Sequence, residues 1–363
     1  MATATSSSSV RLIDSSSLDY LSKLPVEILT DIFELAYVNH TPTGLLSRAL
    51  LPFDRASRFE RVKVDGPRRL VQLAETLDSS SVGSYIKDLT LEGVDRNGAL
   101  ALTEHQFRAF FAALPHLRHL ELRETSQAVI HLLVSGRIPC TSLAAMRELL
   151  LHAEDNPEQP FDPVPFRGLA SYPSLTTLFL NLDDYNYDWD EAGEVPAQSV
   201  VLPGLKDLTL LSEGAHLPIA NRFIQACPAV QHLCLISLSS QPAYTSLLLS
   251  LPPTLLTLEL RTPDATKTWS SPCDASLPRF RELQHLHLGQ GTFSADIFEM
   301  IRLIPGLTTL GFGLGAYLDA SKLERLVCGS TRFQQLRVLT LDVVWAKHGW
   351  IAERAAAERE AGR

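Results

Sequence analysis

A chain of 363 residues is too long for one ordinary compact domain, unless it is built of repeats that each pack only on their neighbours. Hydrophobic residues at 45% and charged residues at 20% describe a chain able to bury a core, which excludes general disorder. A net charge of -9 argues against a phosphate-tracking, nucleic-acid-binding surface and suits a neutral or mildly basic partner better.

The first segment, residues 1–17, is rich in Ser and Thr and aperiodic, which predicts a disordered tail. From Leu18 to Val38, the residues Leu21, Leu24, Ile28, Ile32 and Leu35 recur at three- and four-residue spacing. Pro25 stands at a helix-start position and Glu27 in the first turn, so the segment reads as an amphipathic helix. Its core, Leu24-Pro25-Val26-Glu27-Ile28-Leu29-Thr30-Asp31-Ile32-Phe33, resembles the F-box signature Leu-Pro-x-Glu-Ile-Leu-x-x-Ile-Phe. The resemblance implies docking on the Skp adaptor of a Skp-cullin-F-box ubiquitin ligase. The contacts would come from Leu24, Pro25, Ile28, Leu29, Ile32 and Phe33. The alternative role for such a helix is to cap the end of a repeat array, which open arrays require.

The stretch Leu45–Val64 completes an F-box-like module over residues 18–64. It has no tryptophan where the family's second half has a Cys-Arg-x-Trp-like segment. It is similar instead to basidiomycete F-box proteins, in which Leu-Leu-Pro-Phe precedes an aromatic-x-x-Val strand, here Phe59–Val62. Arg55, Arg58, Arg61, Lys63, Arg68 and Arg69 make this the most basic part of the chain, a pattern that fits a solvated face better than a phosphate site.

Beyond it, apolar-x-x-Leu-x-apolar recurs ten times, starting at Ile86, Leu117, Met146, Leu175, Leu205, Val230, Leu255, Leu283, Leu307 and Leu336. In each hexapeptide the Leu-x-Leu alternation points two side chains to one face of a short strand. Between strands, apolar-periodic stretches stop at a proline, namely Pro115, Pro173, Pro228 and Pro305. Glu104 to Leu114, with Phe107, Phe110, Phe111 and Leu114 at helical spacing, is the clearest such helix. The pattern resembles that of leucine-rich-repeat proteins. The expected fold is α/β: an irregular leucine-rich-repeat solenoid of about ten strand-helix units over residues 65–345, behind a small N-terminal helical module. The family's Asn or Cys after the strand is replaced by residues such as Val94, Thr125 and Glu154, which predicts irregular curvature.

Two insertions interrupt the array, Asn156–Phe166 and Asp183–Glu191. The second sets Tyr185, Tyr187 and Trp189 among acids, which suits a basic segment held by charge and cation-π contacts, or a solvated loop covering the solenoid. The solvent-facing strand positions form the concave face where solenoids usually bind partners. Early strands offer Asp88, Glu92, His119, Glu121 and Arg123. Middle strands offer Leu150, Phe179, Leu211, Cys234 and Ile236, a candidate client-binding patch unless the insertions cover it.

Residues 346–363, rich in Ala, Glu and Arg, predict a polar helix or tail. The five cysteines, Cys140, Cys227, Cys234, Cys273 and Cys328, are odd in number and not spaced as C-x-x-C, which points to a reducing compartment. No apolar run reaches the ~20 residues of a membrane span, and the start lacks a secretory layout, so a cytoplasmic or nuclear protein is expected. The sequon Asn39-His40-Thr41 is then incidental. No nucleophile elbow, phosphate loop, dinucleotide loop or His-Glu-x-x-His occurs, and no cofactor is implied. His285 and His287 could hold a metal only with a third ligand such as Glu259 on the neighbouring strand, and exposed histidines are usually unliganded, so no metal site is expected. Together these features predict a non-enzymatic substrate receptor: adaptor and cullin complex at the N-terminus, an unidentified client protein on the solenoid, with neither nucleic acid nor membrane as partner. The competing expectation is a stand-alone protein-binding or inhibitory scaffold.

Overall fold

The computed structural model describes residues 28, 56, 58–94, 101–125, 127–135, 137–138, 143–153, 166–181, 201–211, 217–236, 248–261, 276–289, 291–292, 297–313, 316–317, 333 and 335–341. Period-two alternation produces the strands. β1 (Arg61–Asp65), β2 (Asp88–Glu92), β3 (His119–Thr125), β4 (Glu148–Ala153), β5 (Thr177–Asn181) and β6 (Asp207–Leu211) come first. β7 (His232–Ile236), β8 (Thr257–Arg261), β9 (His285–Leu288), β10 (Gly291–Thr292), β11 (Thr309–Phe312), β12 (Ala316–Tyr317) and β13 (Val338–Leu341) follow. Each of the ten hexapeptides forms a strand, and in nine of them, from Leu89 and Leu91 to Leu310 and Phe312, both apolar positions are buried.

Eleven strands form one parallel sheet in the order β1-β2-β3-β4-β5-β6-β7-β8-β9-β11-β13, while β10 and β12 pair separately. Strands consecutive in sequence and parallel in space need a crossover each time, and the described helices put Leu70, Phe107, Phe223 and Ile301 into the core behind the sheet. This is an α/β leucine-rich-repeat solenoid. β1 has Val62 and Val64 where its successors have Leu, which is why the leucine pattern misses it. It spans the expected module boundary at residue 64 and pairs Val62 with Leu89 and Val64 with Leu91.

The connections are mixed. α1 (Pro67–Ser79), α2 (Glu104–Ala112), α3 (Gln127–Val134), α4 (Leu217–Ala226) and α5 (Ile297–Arg302) are α-helical. Ser81–Tyr85, Phe166–Ser171 and Leu277–Arg279 are 3-10 turns. α2 shows why a helix starts where it does: Thr103 accepts from the Gln106 N–H at 3.3 Å, and the Gln106 side chain accepts from the Thr103 N–H at 2.8 Å. This reciprocal cap satisfies two otherwise orphaned donors and contributes about 1 kcal/mol. The helix ends at Ala112, two residues before Leu114, yet Leu114 is fully buried with Phe107, Phe110 and Phe111 in the core behind the sheet. Pro115, Pro173, Pro228 and Pro305 each follow a helix or 3-10 turn, as a residue unable to donate a backbone hydrogen bond should.

Where the leucine-rich-repeat pattern has Asn or Cys, three positions past the last core leucine, this chain buries Val94 and Thr125 instead. The ladder between β3 and β4 slips between Leu122 and Thr125, and Glu124 takes φ 48 there. Loss of the repeated side-chain bond thus coincides with a local bulge. The expected tail 1–17, both insertions and the segment 346–363 lie outside the described residues, apart from Phe166 at the end of the first insertion.

Candidate functional site

The register lines up the third and fifth residues of the ten hexapeptides, and the residue after each hexapeptide, as columns on the open face. One column runs Arg61, Asp88, His119, Glu148, Thr177, Asp207, His232, Thr257, His285, Thr309 and Val338. The next runs Lys63, Thr90, Glu121, Leu150, Phe179, Thr209, Cys234, Glu259, His287, Gly311 and Thr340. A third includes Glu92, Arg123, Asn181, Leu211, Ile236 and Arg261. Adjacent strands lie about 4.8 Å apart, so column neighbours touch and their chemistry divides the face into zones.

Over β1–β4 the zone is ionic. Arg61 pairs with Asp88 at 3.3 Å, Lys63 with Glu92 at 2.6 Å, and His119 with Glu148 at 2.9 Å. Glu121 is buried in this network, accepting from Thr90 at 3.2 Å and from Arg123 at 2.7 Å. The hydrogen bond to Glu121 and its charge hold the Arg123 guanidinium above its ordinary pKa. A cleft of about 510 Å³ opens here, lined by Arg61, Val62, Lys63, Asp88, Thr90, Arg118, His119, Arg147 and Glu148. Arg118 and Arg147 stand one residue before β3 and β4 and are joined by a backbone hydrogen bond of 2.7 Å. Both are exposed, and their guanidinium groups have no partner among the described residues.

Over β4–β7 apolar residues enter the second and third columns. Leu150 faces Phe179 and Leu211 faces Ile236, and all four are half-buried. His152 stacks on Phe179 with ring centroids 4.2 Å apart. Burial lowers the His152 pKa, Glu121 opposes that shift, and Arg123 reinforces it. Cys234 belongs to the next, polar zone. Its thiol donates to Glu259 at 3.6 Å, and Glu259 is held by Arg261 at 2.6 Å. Burial first, and then the Glu259 charge, pushes the Cys234 thiol up to about 12, so it is neutral and unreactive at ordinary pH.

Of the client-binding candidates, Leu150, Phe179, Leu211 and Ile236 thus form two neighbouring cross-strand pairs, and Cys234 lies beside them among polar groups. Tyr185, Tyr187 and Trp189 lie outside the described residues, as do Leu24, Pro25, Leu29, Ile32 and Phe33 of the F-box-like segment. Ile28, also of that segment, is helical and 45% exposed. His287 faces Glu259 across the β8–β9 pair, but among the described residues no group of three or more His, Cys, Asp or Glu could hold a metal. Sequence reasoning passed over Arg118 and Arg147. The signal was present, since the second hexapeptide residue is basic in four of the first five copies: Lys87, Arg118, Arg147 and Lys206.

The chain is similar to three solved leucine-rich-repeat proteins. A TLR13–ssRNA13 complex superposes with a TM-score of 0.40 at 12% identity, covering 74% of this chain and 41% of that one. This chain therefore spans about two fifths of the length of that TLR13 chain. Internalin InlF of Listeria monocytogenes gives a TM-score of 0.38 at 16% identity, over 72% of this chain and 70% of that one. LegL7, a leucine-rich repeat-containing protein of Legionella pneumophila, gives 0.41 at 15% identity, over 77% and 91%. At these identities the likeness concerns the fold alone. No protein-family model and no curated protein matches the sequence. Among the described residues, no helix is long and apolar enough to cross a membrane.

Proposed function

We propose that this chain is the substrate receptor of a Skp-cullin-F-box ubiquitin ligase: the N-terminal motif docks the Skp adaptor and the open face of the solenoid holds a client protein. The observation that carries the reading is the unbroken ten-residue signature from Leu24 to Phe33, placed ahead of a leucine-rich-repeat array. Ile28, an apolar member of that signature left 45% exposed on a helix, supports it, because a side chain devoted to capping the solenoid would be covered. The open face supports the client-binding half of the reading. It presents two apolar pairs beside an ionic zone, the mixed composition of a protein-binding surface. On this reading the chain does no covalent chemistry, works in the cytoplasm or nucleus, and needs no cofactor.

A pull-down of the full chain with purified Skp adaptor, beside the double variant Leu24→Ala and Pro25→Ala, tests the adaptor half. Capture of the parent and loss of the variant is the expected result. A folded parent that the adaptor does not retain would sink the ligase role and leave a free-standing protein-binding solenoid.

A further inference from the structure

The net charge of -9 points to a basic partner, but the cleft over β1–β4 has the opposite balance. Four cations line it, Arg61, Lys63, Arg118 and Arg147, against two carboxylates, Asp88 and Glu148. Arg61 is matched by Asp88, and Lys63 by Glu92. Arg118 and Arg147 are left over, and a backbone hydrogen bond joins them just ahead of β3 and β4. Like charges on neighbouring strands are unfavourable in the isolated chain. They give the fold nothing: both side chains are exposed, and the buried positions Leu117 and Met146 beside them hold the strands in place. A carboxylate seated between the two guanidinium groups would remove the repulsion and gain charge-assisted hydrogen bonds. Screening confines electrostatics to about 8–10 Å at ordinary salt, so a segment in the cleft responds to these groups rather than to the whole-chain charge.

The cleft and the apolar pair meet on β4, the strand that carries both Glu148 and Leu150. Arg147 precedes β4, the strand that carries Leu150, and Leu150 faces Phe179. From β3 to β5 the distance is about 10 Å, the reach of about three extended residues. We propose that this cleft binds an acidic peptide segment of a partner protein. Its carboxylates pair with Arg118 and Arg147, and a bulky apolar residue about three positions away lies on Leu150 and Phe179. The proposal rests on the solenoid being the client-binding part of the molecule and is independent of adaptor docking.

The test is fluorescence anisotropy of the full chain with a labelled peptide of sequence EEEESSLF, beside KKKKSSLF, EEEESSGG and a labelled oligo-thymidine. The acidic-apolar peptide should bind best. Its affinity should fall about tenfold or more in Arg118→Glu with Arg147→Glu, and about tenfold between roughly 0.05 and 0.3 M salt. Phe179→Ala should erase the preference for EEEESSLF over EEEESSGG. The charge variants change exposed side chains only, and a far-ultraviolet circular dichroism spectrum matching the parent's verifies folding. The milder pair Arg118→Gln with Arg147→Gln should give an intermediate loss. Unchanged affinity in the folded variants, preference for the lysine peptide or the oligo-thymidine, or no binding of EEEESSLF up to about 1 mM would each overturn the proposal. Adaptor capture by the Arg118 and Arg147 variants should match the parent, so the outcome of one reading does not decide the other.

Discussion

His152 shows how a single side chain couples the two zones of the open face to pH. It stacks on Phe179 and approaches Glu121 at 3.9 Å, with Arg123 nearby. Burial is the largest influence and holds its pKa below the ordinary 6.5, which the unfolded chain retains. The unfolded state therefore takes up the proton first. The neutral ring's contribution to stability is complete above pH 6.5 and declines as pH falls through that value towards the lower folded pKa. Thermal unfolding between pH 7.5 and 5 should show the parent losing more stability than His152→Gln. Equal losses would mean that the ring titrates as if exposed.

At the scale of elements, the connections are fitted more tightly than their varied lengths suggest. The 3-10 turn Ser81–Tyr85 places Gly83 against the carbonyl oxygen of Ala113 at the end of α2, and a Cβ there would collide with that oxygen and approach Leu77 at 3.1 Å. Backbone cannot yield as a flexible side chain does, so Gly83→Ala should cost about 1–3 kcal/mol, read from urea unfolding. A midpoint equal to the parent's would show that the turn and α2 separate freely. A similar tie joins later repeats: Arg279 donates to the carbonyl of Leu248 at 3.1 Å, to that of Leu249, and to that of Leu251 at 3.0 Å. It also lies 5.6 Å over the Phe280 ring. These contacts fix one repeat on the next without any repeated asparagine.

The described residues form a one-dimensional stack, and its two ends differ. β1 is paired to β2 and covered by α1, which buries Leu70 and Leu77. At the other end, Leu339 and Leu341 of β13 are only partly buried, whereas Leu233 and Leu235 of β7 are buried. Stability in such a stack is a sum over repeats and their interfaces, so a terminal unit with one neighbour is the first to open. Leu235→Ala should cost about 2–5 kcal/mol, and Leu341→Ala distinctly less, in matched denaturant titrations. Amide exchange should also be faster in β13 than in β7. Equal costs would mean that residues beyond β13 cover it as fully as the interior strands.

The sequence by itself determined the repeat, because Leu-x-Leu can bury both leucines only on a strand, and ten copies require ten strands in one sheet. It also offered the F-box-like pattern of Leu24–Phe33, a local pattern that lies outside the described residues apart from Ile28. It did not reveal β1, whose valines break the leucine pattern but whose backbone satisfies the edge of β2. Only the tertiary structure decided which intervening residues meet. Arg118 and Arg147 are 29 positions apart in the chain, as are Leu150 and Phe179, and parallel pairing makes neighbours of each pair. Net charge is a sum over the chain, whereas binding depends on charges within a screening length, and register alone sets those distances.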